Sequence, residues 1–199
     1  YFLSPKWLID IWCRWDSKWY LSIVQYGYQA PENLSAQYSN LAFFPLYPTL
    51  IKLLTFWLPA RFQTESVYLL TGLIVSNICF LLAMAGIYYL ATKLFDEQSA
   101  TRTILLYFSL PAGFFFSVFY TESLFLFLIV FAFIYAEREK WLAAGILAAL
   151  AALTRPHGIL LLIPLAWIYL SQRKWNLRRI RGDVLFFGLA PLAIVLYFL

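Results

Sequence analysis

Apolar residues in this 199-residue chain run in long blocks, and short polar clusters separate the blocks. The longest block, residues 67–94, predicts a helix of about 42 Å, enough to cross a hydrocarbon core of roughly 30 Å with tilt. Residues 100–119 predict a second crossing and residues 121–136 a third, on the short side. Residues 141–153 and 158–170 are two short runs split by TRPHG, and residues 183–199 begin a last one. The expected fold class is all-α, a polytopic transmembrane helix bundle, because helices satisfy their own backbone in lipid. No soluble linker, second domain or internal repeat is visible.

The run 141–170 has two readings. As one helix it would hold Arg155 near the bilayer centre, a costly position, with a kink at Pro156. As a hairpin turning at Arg155–Gly158, each arm is only about 20 Å long, too short to span fully. The hairpin is favoured, because it returns both flanking charged connectors to one side. It places a non-helical turn at depth, which must line water or protein.

The first sixty residues read differently. Residues 40–59 are apolar but carry Pro45, Pro48 and Lys52. They predict a helix over 48–57 lying in or dipping into an interface, with Lys52 snorkelling. Residues 6–24 interleave Trp7, Trp12, Trp15 and Trp19 with charges and predict another interfacial helix, ended by Tyr26-Gly27-Tyr28.

Composition supports the bilayer as solvent. The chain is 63% hydrophobic and 13% charged, with aromatic residues at 21% and a mean hydropathy of +0.73, where soluble domains are near half apolar and a quarter charged. The net charge of +5 does not indicate nucleic acid. Lys93, Arg102, Arg138, Lys140, Arg173, Lys174, Arg178, Arg179 and Arg181 lie in three connectors between apolar runs, and read as positive-inside topology signals. If each run from residue 67 onward crosses once, those connectors share the cytoplasmic side. VFYTES, TRPHG and the segment before residue 67 then share the other side. The chain starts at Tyr1 with no cleavage signal and stops inside an apolar run, so it is expected to be part of a longer protein. Cys13 and Cys79 form no disulfide or zinc pattern. One histidine excludes a His-cluster metal site, and no metal or other cofactor is expected. Asn33-Leu34-Ser35 fits a glycosylation sequon.

Three polar clusters are assigned to one face. Asp16 is either a solvated charge paired with Arg14 or Tyr20, or a general base partly desolvated by Trp15 and Trp19. Glu122 is either a first-turn acid complementing the dipole of a helix capped by Thr121, or a site carboxylate beside a span. Arg155 and His157 interrupt some thirty apolar residues. The arginine either satisfies free carbonyls at a turn or holds phosphate with its planar fork. His157 adds a donor able to be neutral or charged. Asp10 and Asp16 are too far apart for a DxD metal motif. No Walker or glycine-rich loop is present, so a nucleotide-sugar or ATP enzyme is not expected.

The segments RWDSKWYLSIVQYGY, NLAFFPLYPTLI, PAGFFFSVFYTESLFLF and LTRPHGI together closely resemble the PIG-V-like mannosyltransferases, multi-pass glycosyltransferases of the GT-C class. The resemblance extends from Arg14 to Ile159. It implies one transmembrane glycosyltransferase domain over 1–199, incomplete at both ends, with an outer loop and interfacial helices over 4–62 and transmembrane helices over 66–199. It implies inverting, metal-independent transfer of mannose from a polyprenyl-phosphate donor to a glycan or glycolipid acceptor on the non-cytoplasmic face of the lipid bilayer. In eukaryotes such enzymes act in GPI-anchor assembly. Asp16 matches the catalytic acid of the first outer loop. Lys18, Tyr20, Glu122, Arg155 and His157 are expected to bind substrate, and Trp15, Trp19, Phe44 and Tyr47 to shape the acceptor and lipid entrances. TRPHG departs from the Arg-Ser-Asn-Gly of eukaryotic members. Arg155 and Gly158 keep their places while Pro156 and His157 differ, which leaves the role of His157 open and points to a bacterial-type member. A transporter or flippase subunit, or a GT-C enzyme using another lipid-phosphate sugar, are the alternatives.

Overall fold

A computed structural model of the chain describes residues 11–28 and 40–199. The sequon at Asn33 and the segment 6–10 lie outside the described residues. All regular structure among the described residues is helical. The helices are α1 (Ser17–Tyr26), α2 (Leu46–Thr55), α3 (Glu65–Leu94), α4 (Glu97–Ser109), α5 (Glu122–Glu137), α6 (Trp141–Thr154), α7 (Leu162–Gln172) and α8 (Leu189–Phe198). The chain divides into two compact units, Tyr1–Phe80 with Pro111–Leu124, and Leu81–Leu110 with Phe125–Leu199.

Helix α3 is the one described helix long and apolar enough to cross a membrane. At 30 residues it extends about 45 Å. Leu70, Ile74, Ile78 and Leu81 form an exposed stripe along it at helical spacing, while Leu69, Ser76, Cys79 and Ala83 are buried. The second expected crossing is shorter than the sequence predicts. Helix α4 ends at Ser109, because Pro111 disfavours helical backbone at Leu110, which is extended there, and residues Pro111–Phe116 continue as a 3-10 segment. The last apolar run likewise begins as a 3-10 segment, Gly182–Gly188, before α8.

In the first unit, α2 buries Tyr47, Ile51 and Thr55 at a spacing of four, and exposes Lys52, Leu53 and Leu54, with Phe56 and Trp57 beyond its end. Its opening is anchored by the Tyr47 hydroxyl, which is 2.9 Å from both the Gly72 carbonyl and Ser76 Oγ on α3. Gly72 permits this approach, since a Cβ there would lie 2.2 Å from the Phe119 ring. Helix α1 ends at Gly27, whose φ of 77° and N–H bond to the Ile23 carbonyl close it as glycine allows.

In the second unit, α6, the TRPHG turn and α7 form the hairpin. Trp141, the first residue of α6, packs its ring 4.8 Å from Tyr169 near the end of α7. A single helix would hold those residues about 42 Å apart. The turn is tight because Gly158 lies against the backbone of Ala151 and Ala152. The charged connectors are brought together at the open end of the hairpin. Lys93 pairs with Glu137 at 3.1 Å, and Arg173 with Glu139 at 3.2 Å and Asp183 at 2.9 Å. The three connectors grouped from charge alone therefore meet at one end of this unit.

Candidate active site

The sequence predicts one helix through residues 6–24, and the described part of that segment is broken. Trp15 takes a φ of 51°, an uncommon left-handed conformation for a bulky residue, and α1 starts two residues later. Asp16 is thereby its N-cap residue. An N-cap aspartate ordinarily accepts a bond from the first turn of its helix, yet the Asp16 side chain makes no capping bond. No ion pair to it is found among the described residues either. The carboxylate is exposed and uncommitted.

Backbone bonds from distant residues hold this turn. The Tyr120 hydroxyl accepts from the Asp16 N–H at 3.3 Å and donates to the Arg14 carbonyl at 3.1 Å. Ser17 Oγ donates to the Phe119 carbonyl, and the Phe119 N–H donates to the Trp12 carbonyl, both at 3.1 Å. Ser76 on α3 fixes the other strap, donating to the Tyr120 carbonyl at 3.1 Å. Burial pushes the Tyr120 phenol above its ordinary range.

A cleft of about 360 Å³ opens beside this turn, lined by Trp15, Asp16, Phe115, Tyr120 and Glu122. Phe115 stacks on Tyr120 at 5.9 Å and lies 6.5 Å from the Trp15 ring. Glu122 is half-buried at the start of α5. Two carboxylates in an aromatic-walled recess are a polar pair in an apolar setting of the kind ligand sites use. Lys18, which is exposed, lines a neighbouring cavity of about 400 Å³ with Cys13, Arg14 and Trp15.

Several expected side chains are elsewhere. Trp19 stacks on Phe43 at 5.7 Å, and Trp15 is 67% exposed, so the two tryptophans do not enclose Asp16. Tyr20 is a core residue. Its ring meets Phe43 and Tyr47 edge-on, its hydroxyl lies 3.4 Å from Thr121 Oγ1, and it does not line the cleft. Phe44 and Tyr47 are likewise buried and build the unit rather than an entrance.

Arg155 and His157 belong to the second unit. Arg155 is extended, with φ −150° and ψ 139°, the conformation a following proline favours. Its N–H caps α6 through the Ala151 carbonyl at 3.0 Å, and its carbonyl accepts from Gly158 N–H at 2.9 Å. The Arg155 side chain is half-buried and that of His157 exposed. His157 meets Phe125 edge-on at 5.0 Å.

A family model described as "Mannosyltransferase (PIG-V)" matches residues 4–182. The chain belongs to the PIG-V mannosyltransferase family. Among characterised members, it is 31% identical over 172 residues to the "GPI alpha-1,6-mannosyltransferase 2" of Mus musculus, covering 80% of this chain and 31% of that protein. It is 31% identical over 159 residues to the protein of that name from Rattus norvegicus, covering 73% and 29%. It is 27% identical over 173 residues to the "GPI mannosyltransferase 2" of Schizosaccharomyces pombe, covering 85% and 34%. The chain thus spans about a third of the length of the relatives it matches. No solved structure matches it.

The family match covers both the Asp16 turn and the Phe115–Glu122 segment that holds it. Sequence reasoning missed Tyr120 and Phe115 as parts of the cleft. The signal for Tyr120 was its place inside VFYTES, since a tyrosine set among apolar residues needs a partner for its hydroxyl.

Proposed function

We propose that the full-length protein is an integral-membrane enzyme. It transfers a mannosyl residue from a polyprenyl-phosphate donor to a glycolipid or other acceptor on the non-cytoplasmic face, with inversion. Family membership supports the mannosyl chemistry, and the names of the relatives support a glycolipid acceptor. The length of α3 and its exposed apolar stripe support residence in a bilayer. The observation that carries the residue assignment is the state of Asp16. It is an N-cap carboxylate that neither caps nor pairs and opens into a cleft shared with Glu122.

In this reading Asp16 takes the proton of the acceptor hydroxyl as its oxygen attacks the anomeric carbon. The bond from that carbon to the lipid phosphate breaks, and its electron pair leaves with the phosphate. Arg155, helped by His157, holds the departing phosphate, for which a permanently charged planar fork is suited. Glu122 positions a sugar hydroxyl, and Lys18 contributes positive charge nearby. In the full-length enzyme, Asp16→Asn lowers kcat about a hundred-fold or more, and Arg155→Ala lowers it on the order of a hundred-fold, each with a polyprenyl-phosphate mannose donor. Wild-type turnover in both variants would discard the assignment.

A further inference from the structure

At the end of α7 remote from the TRPHG turn, the second unit holds a cavity of about 450 Å³ lined by Glu139, Gln172, Arg173, Arg178, Arg179 and Arg181. The eleven residues of α7 separate it from that turn by about 16 Å of helix, so it is not the phosphate position assigned to Arg155.

The cavity is a built site. Arg173, 6% exposed, stacks on Tyr169 at 4.4 Å and spends Nη1 and Nη2 on Glu139 and Asp183. Those two carboxylates are thereby matched. Arg178, Arg179 and Arg181 are exposed, and none pairs with a carboxylate among the described residues. Four guanidinium groups against two carboxylates leave the cluster at a net +2. The loop is fixed by the Asn176 side chain, which accepts from the Arg178 N–H at 3.0 Å. Two buried groups have no hydrogen-bond partner: the Nε–H donor of Arg173 and the Oε1 acceptor of Gln172. The surroundings of the cavity suit a lipid interface. Trp167 and Trp175 pack their rings 4.9 Å apart, and Leu177 and Ile180 are exposed beside the arginines. Aromatic belts and basic juxtamembrane clusters mark the headgroup level.

We propose that this cavity binds the headgroup of an anionic glycerophospholipid. The phosphodiester sits among Arg178, Arg179 and Arg181, and a headgroup hydroxyl faces Gln172. The inference rests on the membrane reading above but not on the assignment of Asp16 or Arg155.

The test uses the full-length protein in detergent, titrated with phosphatidylglycerol, phosphatidylcholine or soluble glycerol 3-phosphate and followed by native mass spectrometry. Phosphatidylglycerol is expected to bind at least ten-fold more tightly than either of the others. The triple variant Arg178→Ala, Arg179→Ala, Arg181→Ala is expected to lose at least ten-fold in that affinity. A control, Arg102→Ala with Arg138→Ala and Lys140→Ala, removes the same charge from the neighbouring connectors, outside the cavity lining, and is expected to stay within two-fold of wild type. Unchanged phosphatidylglycerol binding in the first triple variant, or equal loss in both, overturns the proposal. Glycerol 3-phosphate binding as tightly as the lipid overturns the lipid as its source. Mannosyl transfer measured in parallel with Asp16→Asn keeps a failure here distinct from a failure of the catalytic reading.

Discussion

The Asp16 carboxylate depends on a phenol more than a hundred residues away. The Tyr120 hydroxyl accepts a hydrogen bond from the Asp16 N–H and donates one to the Arg14 carbonyl, bracketing the left-handed Trp15 from both sides. On the role proposed for Asp16, Tyr120 is a positioning residue: it touches the backbone that presents the carboxylate. Tyr120→Phe keeps the ring that stacks on Phe115 and removes only the two bonds. Each is worth about 0.5–1.5 kcal/mol, and both are half-exposed, so thermal unfolding is expected to show a loss of about 1 kcal/mol. The catalytic effect is expected mainly in kcat, about ten-fold down, with KM nearly unchanged. Introduced into Asp16→Asn, the same change is expected to cost no further kcat, since groups acting through one another are not additive. A full ten-fold loss in that background would refute the positioning role. Nothing in the local sequence announces this bond, because it joins two segments that only the folded unit brings together. The composition around Asp16 suggested enclosure by tryptophans, whereas Trp19 is drawn off by a better stacking partner, Phe43.

Among the elements, the hairpin of α6 and α7 was legible from residues Arg155 to Gly158. An arginine followed by proline inside an apolar run cannot continue a membrane helix cheaply. The length of the helix after Ala100 was not legible in the same way. The Leu110-Pro111 signal was present, but an unbroken apolar run through Phe119 outweighed it, and only the structure shows α4 stopping at Ser109. The break at Trp15 was hidden for a related reason. The alternation of rings and charges in residues 12–20 is compatible with a continuous interfacial helix, and the turn is imposed by bonds to Phe119 and Tyr120. The hairpin rests on one close approach. A methyl at Gly158 would stand 2.5 Å from the carbonyl group of Ala151 and 2.6 Å from the Ala152 nitrogen. Those are backbone atoms inside α6 and cannot swing aside. Gly158→Ala is therefore expected to lower stability by about 1–3 kcal/mol, as overpacking does. Gly188→Ala, where nothing lies within 4 Å, is expected to stay within about 0.5 kcal/mol of wild type. Equal unfolding temperatures for the two variants would remove the tight turn as the source of the fold-back.

Across the whole molecule, charge and one long helix bear on orientation. The positive-inside rule sorts nine basic residues into three connectors, and two ion pairs, Lys93 with Glu137 and Arg173 with Glu139, join those connectors. The exposed Lys93–Glu137 pair adds little stability, about 0–1 kcal/mol, so it registers where its connectors lie rather than holds them there. Helix α3 allows sides to be tested, because the exposed loop around Arg61 precedes it and Gln98 follows it. Its rise of about 45 Å exceeds a hydrocarbon core of roughly 30 Å. Native cysteines are poor reporters, since Cys13 and Cys79 are both buried. In a background lacking them, Arg61→Cys is expected to react with a membrane-impermeant maleimide only from the non-cytoplasmic side. Gln98→Cys is expected to react only after the cytoplasmic side is opened. Reaction of both from one side would mean that α3 does not cross. Exchange of the two sides would keep the crossing but put the Asp16 cleft on the cytoplasmic side, against the proposed transfer on the non-cytoplasmic face.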